Sequence, residues 1–213
     1  DIILAVFRSR KVCRAVLSEE AGLVTDIGGE SGLAYLDPVD GSFNAGAGIP
    51  FYALSIGLSE GGVMTAGYVR NLANKETFTA IRGKGAFLDG RPIRVSKKAE
   101  LNISAMSIYA RAPEMISLLE KGMRTRRGRK LGASALELCY VACGRLEGFL
   151  DLRTTLRITD AAAGMFICEE AGGIVTQPDG SPVAFPDDVC AGRPLLAANP
   201  VIHAKVSEIL RSK

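Results

Sequence analysis

Two carboxylates lie three positions apart in the stretch YLDPVDGS, residues 35–42, where Asp37 and Asp40 flank a proline and a valine. Two carboxylates that point into one small volume repel each other unless a cation lies between them. Oxygen ligands without histidine or thiolate favour a hard cation such as Mg²⁺ or Mn²⁺, and the backbone carbonyl of Val39 is a further candidate ligand. The spacing therefore indicates a divalent-metal site. Asp, Pro and Gly are also common turn residues, and this stretch alone fits a plain turn equally well.

A candidate phosphate-binding segment follows the two carboxylates. Gly41 and Ser42 supply backbone N–H groups at a point where a short helix can begin. The N-terminus of a helix attracts anions through its free N–H groups and its dipole, and glycine lets a ligand approach the backbone closely. A phosphate-binding segment beside a metal site indicates phosphoryl-transfer chemistry.

Two further acidic segments are candidates for the same site. Glu19 and Glu20 stand at the end of a predicted strand that precedes the strand leading to Asp37. If the two strands are neighbours, their acidic ends meet. Asp160 opens a helix whose body is too apolar for a surface helix. An aspartate that caps a helix is common. If Asp160 instead lies beside the other two acidic segments, it completes a site for more than one metal ion.

The elements that must position these residues follow from the hydrophobic pattern. Pro38 favours an extended Asp37, so we expect the strand GLAYLD to end there. Residues 51–96 alternate strand and turn patterns, which is typical of an antiparallel meander. Helices that are apolar nearly all round must be covered on several sides. We therefore predict an α/β fold of alternating layers of helices and sheets, with an N-terminal subdomain at 1–103 and a C-terminal one at 104–213. The other predicted elements are helices at 2–10, 112–122, 133–143, 160–173 and from 200, and strands at 12–18, 102–110, 147–152 and near 174 and 195.

Composition narrows the class of protein. The chain has 213 residues, a net charge of +3 and 47% hydrophobic residues, which is ordinary for a globular protein. No apolar run is long enough to cross a bilayer. Five cysteines without a C-x-x-C spacing predict free thiols in a reducing cytoplasm. The lone histidine, His203, argues against His-based metal sites and Ser-His-Asp catalysis, and its position after Asn199 and Pro200 predicts a helix-surface residue.

Four segments resemble, in their order and rough spacing, the inositol monophosphatase and fructose-1,6-bisphosphatase superfamily: SEEAG, LDPVDGSFNAGAGIPFYALSIGL, RGKGAFLDGRPIRVS and DAAAGMFICEEAGG. The likeness is greatest to the archaeal enzymes that hydrolyse both kinds of substrate. It implies a layered sugar-phosphatase fold, two or three Mg²⁺ ions (or Mn²⁺), and a cytoplasmic homodimer acting in carbohydrate metabolism and gluconeogenesis. The metal-ligand roles that it implies fall on Glu20, Asp37, Val39 through its carbonyl, Asp40 and Asp160, and the phosphate-binding roles on Gly41 and Ser42. Glu19 matches a residue of the family that either lies behind the metal ligands or helps to bind a further ion.

Substrate-binding residues are implied by the same resemblance. GRKLGASALE is similar to the loop that lines the sugar or inositol ring, which makes Arg129 and Ser134 candidates. FLDLRTTLRITD looks like the archaeal pattern with an arginine after the strand, so Arg153 is assigned to the substrate and Arg157 is a competitor that is otherwise a surface charge. The superfamily has a further aspartate upstream of the Glu-Glu pair. We expect that residue to lie before Asp1, in a natural N-terminal segment that precedes this sequence.

The implied mechanism is hydrolysis of a phosphate monoester without a phosphoenzyme. One Mg²⁺ at Glu20 and Asp37 would activate water with help from the Ser42 hydroxyl, and a second at Asp37, Asp40 and Asp160 would stabilise the leaving alkoxide. Asp40 would also contact the substrate. The candidate substrates are fructose 1,6-bisphosphate, inositol 1-phosphate and nucleotides such as 3′-phosphoadenosine 5′-phosphate.

Several alternatives fit the residues less well. Phosphatases with an aspartate nucleophile use D-x-D-x-[TV], whereas the spacing here is D-x-x-D. Residues 121–130 carry six basic side chains, yet the run lacks interleaved aromatics, so we expect a solvated face and no nucleic-acid or membrane partner. A non-catalytic relative that binds sugar phosphates is a third reading, supported by the missing upstream aspartate. Within the same superfamily, a nucleotidase that acts on 3′(2′),5′-bisphosphates stays an open alternative.

Overall fold

The computed structural model describes residues 2–184 and 191–212 of the chain. Asp1 and the thiol of Cys190 lie outside the described residues. The helices are α1 Ile2–Arg10, α2 Ser42–Ala47, α3 Ala112–Glu120, α4 Ser134–Ala142, α5 Ile158–Glu170 and α6 Pro200–Arg211, with a short 3₁₀ helix at Leu101–Ile103. The strands are β1 Ala15–Ser18, β2 Gly22–Val24, β3 Leu33–Asp40, β4 Ala53–Glu60, β5 Val63–Asn71, β6 Thr77–Ile81, β7 Gly85–Leu88, β8 Arg91–Ile93, β9 Ala105–Tyr109, β10 Arg127–Arg129, β11 Gly148–Asp151, β12 Ile174–Thr176 and β13 Leu195–Ala198.

The first sheet has eight strands in the order β2-β1-β3-β4-β5-β6-β7-β8. From β3 to β8 every neighbouring pair is antiparallel, and strands β4 to β8 form the predicted meander. Strand β1 pairs with β3 in parallel. Because parallel neighbours end at the same edge of a sheet, the acidic residues after β1 lie beside the end of β3, as the sequence suggested.

The second sheet has five strands in the order β10-β9-β11-β13-β12. Strand β9 is parallel to both of its neighbours, and β13 is antiparallel to both of its neighbours. Strand β10 lies within the basic run that the sequence predicted as a solvated face. Its three residues are exposed, so backbone pairing with β9 forms this strand without any buried side chain.

Helices α4 and α5 form the buried layer that contacts both sheets. Helix α5 packs on β3, β4 and β5, and α4 packs on α5 and β11. The two helices approach so closely that a Cβ on Gly164 would lie 2.8 Å from the Leu138 Cβ and 3.0 Å from the Ala135 carbonyl oxygen. The apolar sequences of both helices are explained by this burial on several sides.

Two local details differ from the sequence prediction. Helix α5 begins at Ile158, so Asp160 is its third residue and not its first. His203 is buried instead of lying on the helix surface, since α6 turns its ring toward β12, where Nε2 lies 2.9 Å from the Thr176 hydroxyl. No helix among the described residues combines the length and apolar character needed to cross a bilayer. The subdomain boundary at 103/104 stays a prediction.

Candidate functional site

A β-bulge at Pro38 and Val39 sets the direction of the two carboxylates in the DPVD stretch. Strand β3 continues past Asp37, where the sequence predicted its end, and runs to Asp40. Asp37 pairs with Ser55 and Asp40 with Ala53, so three steps along β3 match two along β4. Successive side chains of a regular strand alternate between faces, which would put residues three apart on opposite sides. The extra residue explains why Asp37 and Asp40 are both buried while Val39 between them is exposed.

Three acidic side chains from three segments converge beside this bulge. One carboxylate oxygen from each of Glu19, Asp37 and Asp160 lies within 4.8 Å of the other two. Glu19 follows β1, Asp37 lies on β3, and Asp160 stands in the first turn of α5. We call Glu19, Asp37 and Asp160 the acidic cluster.

The structure brings Glu19 into this cluster and leaves Glu20, the sequence-predicted ligand, exposed. The Glu19 N–H donates to the Leu36 carbonyl over 3.0 Å, so the pairing of β1 with β3 extends one residue beyond Ser18. Glu19 and Glu20 lie in the turn that joins β1 to β2. Glu19 contributes a carboxylate oxygen to the acidic cluster and Glu20 is exposed, so the geometry favours Glu19 as the candidate ligand, and the ligand role of Glu20 stays a prediction.

Burial and neighbouring negative charge oppose the ionisation of the buried aspartates at this site, although the Arg157 guanidinium lies beside Asp160. Burial, with the charges of Asp40, Glu19 and Asp160, raises the pKa of Asp37 to about 9. Burial and the charge of Asp160 raise the pKa of Asp40 well above its ordinary value. Burial also raises the pKa of Asp160, against an opposing contribution from Arg157. Burial and mutual repulsion thus oppose the ionisation of Asp37, Asp40 and Asp160, and carboxylate oxygens in such surroundings suit a hard divalent ion.

Asp40 is held by the N-terminus of α4. Its Oδ1 accepts from the Ser134 N–H over 3.2 Å and its Oδ2 accepts from the Ala135 N–H over 2.7 Å. A carboxylate at the positive end of a helix dipole is stabilised there. Ser134, predicted from the ring-binding loop, thus lies directly beside Asp40.

A second buried carboxylate, which the sequence reasoning did not single out, orders the loop before α4. Glu137 is fully buried and accepts hydrogen bonds from the Leu131 N–H at 2.9 Å, from the Tyr109 hydroxyl at 2.8 Å, and from the Ser107 hydroxyl. The Tyr109 oxygen in turn accepts from the Gly132 N–H at 2.8 Å. A glutamate within the apolar run ASALELCYVAC was the signal available in the sequence.

The predicted phosphate-binding segment, Gly41 and Ser42, lies between β3 and the loop before α4. Gly41 has φ 86° and ψ 38° and precedes α2, which begins at Ser42. The Ser42 side chain is exposed. Two residues later, the Asn44 side-chain amide donates to the Phe51 and Leu131 carbonyls over 2.8 and 2.7 Å. These contacts fasten α2 to the loop before α4. The Val39 N–H donates to Asp37 Oδ1 over 2.9 Å, and the ligand role of its carbonyl stays a prediction.

The predicted substrate arginines lie in different surroundings. Arg153 is bound by Asp151 through two hydrogen bonds of 3.0 and 2.7 Å and stacks over Tyr109 at 4.1 Å. Arg129 is exposed on β10 and lines a cavity of about 420 Å³ whose other lining residues belong to α3, β9, β10 and the segments flanking β10. Arg157 reaches the acidic cluster itself, where its guanidinium lies 2.5 Å from Glu19 and 3.2 Å from Asp160.

Comparison with known proteins agrees with this architecture. A relative from Methanothermobacter thermautotrophicus, called fructose-1,6-bisphosphatase/inositol-1-monophosphatase, is 36% identical over 208 residues, which cover 92% of this chain and 74% of the relative. A bifunctional NADP phosphatase/NAD kinase from Methanococcus maripaludis is 34% identical over 235 residues, 99% of this chain but only 41% of that protein.

The comparison with solved structures and the match to a family model point to the same family. The crystal structure of the extragenic suppressor protein SuhB from Bartonella henselae matches with a TM-score of 0.85 at 33% identity, over 99% of this chain and 85% of that one. The family model described as the inositol monophosphatase family matches residues 1–213. The chain therefore belongs to the inositol monophosphatase family.

Proposed function

We propose that this protein is a divalent-metal-dependent phosphomonoesterase that hydrolyses fructose 1,6-bisphosphate, inositol 1-phosphate or both. Membership of the family and the names of the archaeal relatives support the reaction class. The observation that carries the proposal is the acidic cluster, which presents three carboxylates within 4.8 Å of one another beside Asp40.

Glu19, Asp37 and Asp160 would hold the metal, with Asp40 as a further ligand. Mg²⁺ or Mn²⁺ suits this oxygen-only donor set. When bound, such an ion lowers the pKa of water and offsets negative charge on a phosphoryl group.

In the proposal, the protein's own residues orient the metal ligand Asp40, the attacking water and the substrate. The α4 amides fix the Asp40 carboxylate through both of its oxygens, so this side chain keeps its direction when ligands change. In the proposal, the Gly41 and Ser42 N–H groups bind phosphoryl oxygens and the Ser42 hydroxyl orients the attacking water. Ser134 and Arg153 bind the substrate beyond the phosphate. Glu20 and Arg129 are exposed, and their predicted roles in metal binding and in substrate binding remain part of the proposal.

The direct test is release of inorganic phosphate by the full-length protein from fructose 1,6-bisphosphate and inositol 1-phosphate, with Mg²⁺ or with EDTA. We expect hydrolysis that requires Mg²⁺ and is lost in Asp40→Asn. Asp26→Asn is the matched control, because Asp26 is an exposed surface partner of Arg8. Near-normal, Mg²⁺-dependent turnover by Asp40→Asn, or equal turnover in EDTA, would contradict the proposal.

A nucleotide substrate is the second candidate, favoured by the NADP phosphatase named among the relatives. The same assay with NADP and 3′-phosphoadenosine 5′-phosphate decides between the two, since the better substrate has the larger kcat/KM. We further propose a cytoplasmic homodimer with a role in gluconeogenesis, and light scattering on the purified protein tests the dimer.

A further inference from the structure

Arg157 occupies the acidic cluster as a cation of the protein itself. Its Nη2 lies 2.5 Å from Glu19 Oε1 and 3.2 Å from Asp160 Oδ1, and its Nε donates to Asp160 Oδ2 over 3.2 Å. In the part of the chain that the structure describes, no other cation forms an ion pair with Glu19 or Asp160. The guanidinium thus engages two of the three carboxylates that would hold a metal.

The backbone keeps Arg157 in this position. The Arg157 N–H donates to Asp160 Oδ2 over 3.3 Å, and the residue forms an isolated antiparallel bridge with Gly192. A Cβ on Gly192 would lie 2.3 Å from the Thr154 carbonyl oxygen, so the chain passes too closely there for any side chain. The arginine is therefore anchored at the start of α5 by contacts that do not depend on its side chain.

A divalent ion and this guanidinium compete for the same oxygens. Both oxygens of Asp160 and one of Glu19 already contact Arg157. A guanidinium stays protonated at every pH at which proteins fold, so it repels an entering cation as well as sharing its ligands. Two like charges a few ångströms apart interact strongly even at the effective dielectric constant of a protein surface.

We propose that Arg157 is a resident counter-ion that lowers the affinity of the acidic cluster for divalent metal. The inference rests on the proposed metal site and adds a residue that sets its affinity. In the metal-free protein Arg157 offsets the repulsion among the carboxylates. Metal entry requires the guanidinium to give up its contact with Glu19.

The test is titration of metal-free, full-length protein with Mn²⁺ in a calorimeter, for wild type, Arg157→Gln and Arg157→Lys. We expect Arg157→Gln to bind Mn²⁺ at least about tenfold more tightly, and Arg157→Lys to stay within about threefold of wild type. Arg145→Gln is the matched control. The Arg145–Glu76 pair has the same 2.5 Å separation and similar exposure, 39% and 22% against 34% and 22%, and Arg145 forms no ion pair with the acidic cluster.

Thermal unfolding in EDTA gives a second readout. Arg157→Gln should lower the melting temperature more than Arg145→Gln does, and added Mn²⁺ should reverse that difference. Unchanged or weaker Mn²⁺ binding by folded Arg157→Gln overturns the inference, as does an absence of binding in both wild type and variant. Phosphate release by the wild type is scored separately. Hydrolysis with unaltered metal affinity in Arg157→Gln defeats this inference alone, and altered affinity without hydrolysis defeats the proposed function alone.

Discussion

Replacing Gly41 by alanine tests whether the contact between the DPVDGS segment and the loop before α4 sets the site geometry. Gly41 has φ 86°, a left-handed conformation. A Cβ at this position would lie 3.0 Å from the Ala133 Cβ, 3.0 Å from the Gly132 carbonyl oxygen and 3.1 Å from the Phe51 carbonyl oxygen. Contacts this short require the neighbours to move by a few tenths of an ångström.

The expected effect has two separable parts. An L-residue in the left-handed region costs about 1–2 kcal/mol, which lowers the melting temperature of a chain of this size by about 2–8 °C. The second part acts on the site. Residues 132–133 lead directly into Ser134 and Ala135, whose N–H groups bind Asp40. Small displacements of reacting groups reduce rates by up to about a hundredfold, so we expect kcat to fall about tenfold to a hundredfold.

Gly90→Ala separates the two parts. Gly90 has φ 77°, and a Cβ there would meet no atom within 4 Å, so this variant has the backbone cost without the crowding. Thermal unfolding and steady-state phosphate release are measured on both variants. We expect Gly41→Ala to lose at least as much melting temperature as Gly90→Ala, and a loss of kcat in Gly41→Ala only. Equal kcat in the two variants would show that the Gly41 contact does not govern the site.

Two further predictions concern buried carboxylates. Because the pKa of Asp37 is raised to about 9 in the folded protein, against about 4 when unfolded, the metal-free chain should lose stability as pH rises through this window. Melting temperatures in EDTA between pH 5 and 10 should therefore fall, and Asp37→Asn should flatten the profile; a rising wild-type profile contradicts this. Glu137→Ala leaves the Tyr109 hydroxyl and the Leu131 N–H without an acceptor at about 1–3 kcal/mol each, a large part of a typical total of about 5–15 kcal/mol. Urea unfolding should show Glu137→Gln to be much more stable than Glu137→Ala, and equal stability would argue against the network.

The elements of the fold could be predicted where burial imposes a pattern on the sequence. The meander from β4 to β8 follows from alternating residues and turn dipeptides, and α4 and α5 from long apolar runs. Strand β10 could not, because it buries none of its side chains and forms only by pairing with β9. Its basic residues carry no strand signal.

The site was predictable in its residue types but not in its register. Asp37, Asp40 and Asp160 are distinguished by their positions at the ends of apolar elements. Glu19 and Glu20 are adjacent acids in the turn between β1 and β2, and only the fold shows that Glu19 reaches Asp37 and Asp160 while Glu20 is exposed. An isolated arginine usually lies on the surface, and the partner that brings Arg157 inward, Glu19, lies 138 positions away in the chain.

The loop before α4 shows why the site cannot be assigned to either sheet alone. From the first half of the chain, Asn44 holds the Leu131 carbonyl and Asp40 accepts from the α4 amides. From the second half, Tyr109 on β9 binds both Gly132 and Glu137. Contacts from both sides fix the loop, and the loop fixes both oxygens of Asp40. The direction of that carboxylate therefore depends on the packing of the two sheets as well as on the bulge in β3. A variant that loosens either side of the loop should alter the site by changing the direction of the Asp40 carboxylate.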